Sequence, residues 1–158
     1  MDDVYDLCLS GSQDEELFGR AVAMSRSHLA VAGLRDAVHM LDRDTREEQI
    51  LSGQSGSEFG KSVAMTGTHL AVGAPGYHTD TAEHGGGAVH VYAYDGSVEG
   101  DDDAIVLWSE QRVLYCGGDS GTSRCGSSVA LSGVYLAMLA TREVGNTGAL
   151  PIFFLLTG

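Results

Sequence analysis

The chain repeats one short message three times. Phe18-Gly19-Arg20-Ala21-Val22-Ala23-Met24, Phe59-Gly60-Lys61-Ser62-Val63-Ala64-Met65 and Cys125-Gly126-Ser127-Ser128-Val129-Ala130-Leu131 align without gaps. Downstream, His28-Leu29-Ala30-Val31, His69-Leu70-Ala71-Val72 and Tyr135-Leu136-Ala137-Met138 fall in register, followed by Ala37-Val38-His39-Met40, Ala88-Val89-His90-Val91 and Ala149-Leu150-Pro151-Ile152. Such self-similarity demands a repeat architecture, because one small unit cannot bury its apolar face alone and needs a neighbour like itself.

Each unit reads as strands. Ser62 to Met65 and His69 to Gly73 are apolar-rich runs joined by Thr66-Gly67-Thr68, a tight hairpin connection. Ala74-Pro75-Gly76 stops the second run, since proline cannot donate to a ladder, and a polar loop leads to Gly85-Gly86-Gly87. A third strand from Ala88 sets Val89, Val91 and Ala93 against His90, Tyr92 and Tyr94, the period of two expected when one face packs harder than the other. A fourth is expected over Ile105 to Leu114, with its counterpart over Arg46 to Leu51. No periodic helical stretch is present. Four antiparallel strands with small residues in the inner two and bulk in the outer two describe a wedge, the blade of a β-propeller.

Phe59-Gly60-Lys61-Ser62-Val63-Ala64, Leu70-Ala71-Val72-Gly73-Ala74-Pro75 and Gly87-Ala88-Val89-His90-Val91-Tyr92 resemble the FG-GAP repeat, the blade unit of the integrin α-subunit propeller and of many other secreted and membrane-associated proteins. The first repeat keeps Phe18-Gly19 but has Ala32-Gly33-Leu34 in place of Gly-Ala-Pro; the third has Cys125-Gly126 and Leu139-Ala140-Thr141. The expected fold is all-β, with about three four-stranded FG-GAP-like blades over 18–51, 59–114 and 125–156 in a single domain or fragment. Residues 1–10, with Val4 to Leu9 as a strand, are expected to form the outer strand of a neighbouring or closing blade, because Ile152 to Leu156 otherwise ends in an unpaired apolar edge. Three blades fall short of the roughly four to eight of typical propellers, so either dimerisation completes the ring, or another protein or missing portion does.

The chemistry offered is sparse. Blades of this resemblance often hold calcium between their first two strands, but Met65-Thr66-Gly67-Thr68-His69, Met24-Ser25-Arg26-Ser27-His28 and Leu131-Ser132-Gly133-Val134-Tyr135 are short and carry no carboxylate, so no calcium site carries over. His78 and His84, with Asp80 and Glu83 between them, are compatible with a surface zinc or copper ion, yet no His/Cys pair has the tight spacing of a strong signature; the reading is no metal and no cofactor. Asp42-Arg43-Asp44 and Gly100-Asp101-Asp102-Asp103 read as solvated connections. No phosphate-binding loop and no nucleophile elbow occurs in its required strand-to-helix context.

Charge narrows the partners. Nine Lys plus Arg against 22 Asp plus Glu give a net charge of −13, which repels nucleic acid and anionic membrane surfaces. No apolar run approaches the roughly 20 residues of a membrane-spanning helix. Met1-Asp2-Asp3-Val4-Tyr5-Asp6 has neither the basic region nor the apolar stretch of a secretory signal, while the resemblance implies an extracellular or membrane-associated setting. Of three cysteines, Cys116 and Cys125 flank a Gly-rich loop and are spaced to close it in an oxidising compartment; three half-buried thiols are the alternative.

The expected function is a non-enzymatic module binding protein or glycan, adhesion-like by resemblance. Its loops Gly76 to Gly87 and Tyr94 to Ala104 are the recognition elements, because long loops on rigid scaffolds are where binding sits. Tyr77, His78, Asp80, His84, Tyr94, Asp101, Asp102 and Asp103 are the surface candidates, with Tyr115 a further aromatic and Trp108 assigned to packing. An accessory subunit of a larger assembly is the alternative, and a hydrolase or lyase on a propeller platform the third.

Overall fold

The computed structural model describes residues 18–33, 35–78, 86–96, 108–115, 123–142 and 152–154, and every regular element among them is a β-strand. In chain order these are β1 (Ala21–Met24), β2 (His28–Ala32), β3 (Ala37–Asp42), β4 (Glu48–Ser52), β5 (Ser62–Met65), β6 (His69–Ala74), β7 (Ala88–Tyr94), β8 (Trp108–Tyr115), β9 (Ser123–Ser132), β10 (Tyr135–Arg142) and β11 (Ile152–Phe154). They form three antiparallel sheets: β1-β2-β3-β4, β5-β6-β7-β8 and, among the described residues, β9-β10-β11. Each is a meander matching one repeat. The first strands stand together, β1 beside β5 and β5 beside β9, as propeller blades require. The expected strand over residues 1–10 lies outside the described residues.

The repeated Phe-Gly has a local cause. Gly19 and Gly60 sit at φ of +87° and +86°, a conformation that side chains resist, and this turn aims two successive amides at one carbonyl. Ala32 O accepts from Gly19 N at 2.9 Å and Arg20 N at 3.2 Å; Gly73 O accepts from Gly60 N at 3.0 Å and Lys61 N at 3.2 Å. At the other end of the hairpins, hydroxyls close the turns: His28 N donates to Ser25 Oγ at 3.0 Å and His69 N to Thr66 Oγ1 at 3.1 Å.

Two cores lie between the blades. Ala30, Ala32, Val38, Met40 and Leu51 of the first meet Leu70, Val72, Ala74, Tyr92 and Trp108 of the second, with Phe59 among them. Ala71, Val89 and Val91 of the second meet Leu136, Met138 and Ala140 of the third. Strand β7 therefore departs from the expectation of one favoured face. His90 and Tyr92 turn to the first blade, Val89 and Val91 to the third, and all four are buried, because a middle blade is covered on both sides. Trp108 is a packing residue, 2% exposed, and Gln49 grips its backbone across the blades, Nε2 donating to Trp108 O and Oε1 accepting from Trp108 N, both at 2.9 Å.

Strand bounds moved for physical reasons. β4 starts at Glu48 rather than Arg46, since Asp42 Oδ1 accepts from Asp44 N at 2.8 Å and Thr45 N at 2.9 Å and Arg46 takes φ +68° to leave that turn. β9 starts at Ser123, just ahead of the blade expected from Cys125, because a bulge at Gly126 and Ser127 lets Cys125 pair with Ala140, and Cys125 N also donates to Gly86 O at 2.7 Å.

Candidate functional site

The antiparallel order sends the two long loops of the second repeat to opposite ends of β7. Ala74, Ala88 and Tyr115 align at one end, Tyr94 and Trp108 at the other. Tyr77 and His78 thus belong to the end where the Phe-Gly turns gather, and Tyr94 to the far end; they contribute to different surfaces. Asp80, His84, Asp101, Asp102 and Asp103 lie outside the described residues. Among the described residues no group of three His, Cys, Asp or Glu side chains is placed to hold a metal ion.

The Phe-Gly end is tied together across all three blades. Asp36, in the β2–β3 turn, accepts Gly56 N at 2.7 Å and Phe59 N at 2.9 Å on its carboxylate, and its own carbonyl accepts Gly53 N at 2.7 Å. Gly76 N donates to Ser57 O at 2.8 Å and Gly87 N to Tyr77 O at 3.0 Å. Ser62 Oγ donates to Gly126 O at 2.8 Å, linking second and third blades. Tyr77 is half-buried, its ring 5.4 Å from that of His90 and 5.8 Å from that of Tyr115. His78 is exposed and its amide donates to Gln54 Oε1 at 3.3 Å.

At the centre of this end stands Glu58. Arg20 of the first blade donates to its Oε2 at 3.3 Å, Lys61 Nζ of the second lies 3.5 Å from the same oxygen, and Arg124 of the third donates to Oε1. One carboxylate thus collects cations from three blades. Burial alone would raise the Glu58 carboxyl, but the hydrogen bond and charge of Arg124, helped by Lys61, hold it below the usual range. Three of the nine basic residues gather here, leaving a local cationic excess on a chain of net charge −13. The side chains stay partly open to solvent, at 24% for Arg20 and 38% for Lys61, so spare N–H groups remain for a carboxylate or hydroxyl of a partner.

None of Arg20, Glu58, Lys61 or Arg124 was among the sequence candidates. The signal was present, because Arg20 and Lys61 occupy one repeat position and Glu58 and Arg124 another, with opposite charge. Only adjacency of the first strands makes these positions meet.

The far end is packed rather than open. His28 is buried, with Nδ1 2.9 Å from Ser27 Oγ, Nε2 3.5 Å from Asp42 Oδ2, and its ring against Tyr94 at 4.5 Å and Trp108 at 5.2 Å. Burial lowers its pKa and outweighs the opposing pull of Asp42 and Asp44. Within the second blade, Glu110 Oε2 accepts from His90 Nδ1 at 2.8 Å and from Tyr92 OH at 3.3 Å; burial first, then the Glu110 charge, pushes the Tyr92 hydroxyl strongly upward. Cys125 is disulfide-bonded. Its partner, and with it the expected pairing to Cys116, lies outside the described residues.

Residues 52–92 match the FG-GAP repeat family model, the span that holds Phe59-Gly60 and Gly73-Ala74-Pro75. No curated protein matches the chain. Among solved structures, the crystal structure of the N-terminal domain of Nup159 is similar over 87% of this chain, at 12% identity and a TM-score of 0.53. This chain spans 34% of that one, and at such identity the likeness carries the fold alone: propeller-like blades, with an FG-GAP repeat as the second of them.

Proposed function

We propose that these blades are a non-enzymatic interaction module whose Phe-Gly end binds a protein or glycan partner, in the manner of an adhesion domain. The observation that carries the reading is the convergence of Arg20, Lys61 and Arg124 on Glu58, within a surface whose loops are cross-linked by backbone hydrogen bonds. A rigid surface loses little entropy on binding, and cations held by a carboxylate are pre-positioned to donate to acidic or hydroxyl-rich ligands. His78 stands exposed on the same end.

The test is binding of the intact chain to immobilised extracellular-matrix proteins and a glycan array. Binding that weakens with salt and is lost in Lys61→Glu and His78→Ala supports the reading. Binding indifferent to both variants, or turnover of any glycan on the array, sinks it.

A further inference from the structure

Arg20, Lys61 and Arg124 top three strands that stand side by side: Arg20 lies just before β1, Lys61 just before β5, and Arg124 at the start of β9. First strands are the ones nearest the axis in propeller blades, so these cations gather at its mouth rather than scatter along the rim. Each arginine reaches Glu58 through one nitrogen, Arg20 by Nη2 to Oε2 and Arg124 by Nη2 to Oε1. A guanidinium fork can offer a carboxylate two parallel N–H bonds, and here each fork engages on one prong. With the Arg20 and Arg124 side chains 24% and 36% exposed, the other prongs are within reach of a ligand.

The charge around them is not offset. Arg35, exposed in the β2–β3 turn, adds a fourth cation to this end. Among the described residues the same end holds two carboxylates: Glu58, shared by three cations, and Asp36, whose oxygens are taken by Gly56 N and Phe59 N. The other described carboxylates stand elsewhere, Asp42 to Glu48 in and beside the β3–β4 turn and Asp95 beyond β7 at the far end, and Glu110 on His90. At physiological salt a ligand here is governed by charges within about 8–10 Å, not by the chain's net charge of −13. Aromatic surface is scarce on this end. Tyr77 is half-buried with its ring against His90 and Tyr115, while Tyr135, 52% exposed, belongs to the β9–β10 hairpin at the far end. Sugar sites lean on apolar and aromatic lining, whereas a carboxylate needs only the forks.

We propose that the mouth at the Phe-Gly end takes an acidic side chain, Asp or Glu, projecting from a protein partner, its carboxylate held by the unused N–H groups of Arg20, Lys61 and Arg124. This rests on the Phe-Gly end being the binding face and narrows its ligand to a protein carboxylate.

Fluorescence anisotropy of a labelled hexaglutamate peptide with the intact chain tests it, beside hexaglutamine and, as a polymer of sugar carboxylates, hyaluronate. The expected result is saturable binding of hexaglutamate that salt weakens, and none of hexaglutamine. Arg20→Gln and Lys61→Gln are each expected to weaken binding at least about tenfold, the loss of one charge-assisted hydrogen bond. Arg112→Gln, which removes an exposed cation of β8, is expected to leave it unchanged. Hexaglutamate binding that is equal in the parent, Arg20→Gln and Lys61→Gln, or that falls as far in Arg112→Gln, overturns the proposal. Hyaluronate bound where hexaglutamate is not overturns it too, yet leaves the Phe-Gly end standing as a glycan site; silence in both arms removes both readings. Should Arg20→Gln unfold by circular dichroism, Lys61→Gln, at an exposed position, is read alone.

Discussion

At the residue scale, two glycines of one repeat carry opposite constraints. A Cβ on Gly73 would stand 2.0 Å from Gly126 O and 2.3 Å from Ser62 Oγ, so the third blade approaches the second through a position that tolerates no side chain. Gly67, at the hairpin tip, has nothing within 4 Å of a built Cβ. Gly73→Ala is therefore expected to cost about 1–3 kcal/mol in urea unfolding and Gly67→Ala to be neutral or stabilise slightly, by roughly 0.4–1 kcal/mol. His28 supplies a pH signature. Its folded pKa is lowered by burial, so the unfolded chain binds the proton more readily, and stability falls as pH drops from the ordinary histidine value through the lowered one. Thermal midpoints measured from pH 7 to 5 should decline in the parent and less steeply in His28→Gln; equal slopes would reject this assignment.

Strands and blades show why equivalent residues are not equally important. Phe59 is 1% exposed between two blades, its ring 5.2 Å from that of His90 and 6.4 Å from that of Tyr92. Phe18 holds the same repeat position, is half-buried, and meets the ring of His39 at 5.3 Å. Phe59→Ala should cost about 3–5 kcal/mol and Phe18→Ala clearly less, by denaturant midpoint. The cross-blade grip of Gln49 on Trp108 makes a second test between elements. Gln49→Ala strands a buried N–H and C=O of Trp108, for an expected loss of about 1–3 kcal/mol.

For the molecule as a whole, ionic ties join the blades, and a disulfide is held at the second junction. Cys125 is disulfide-bonded and buried at the second junction, so one of three cysteines should titrate as a free thiol in the denatured, unreduced chain, and reductant should lower the thermal midpoint. Three free thiols would contradict the bond. Such a bond persists in oxidising surroundings. Glu58 adds an acid limit: because its folded pKa is lowered, the stability it contributes is present above the ordinary carboxylate range and lost as pH falls through the lowered value.

The blade count, the strand order within each blade and the Phe-Gly turns were legible in the sequence, because a turn needing φ near +86° and a two-residue alternation are local demands met by local residues. Which alternating set meets which neighbour was not, since both faces of β7 are apolar and only blade stacking separates them. The placement of the two long loops' ends at opposite ends of β7, the meeting of Arg20, Lys61 and Arg124 on Glu58, and the exposure of Val22 and Met24 against the packed Val63 and Met65 arise between segments far apart in the chain. Tertiary structure alone decided these, because equivalent repeat positions take their roles from what stands beside them.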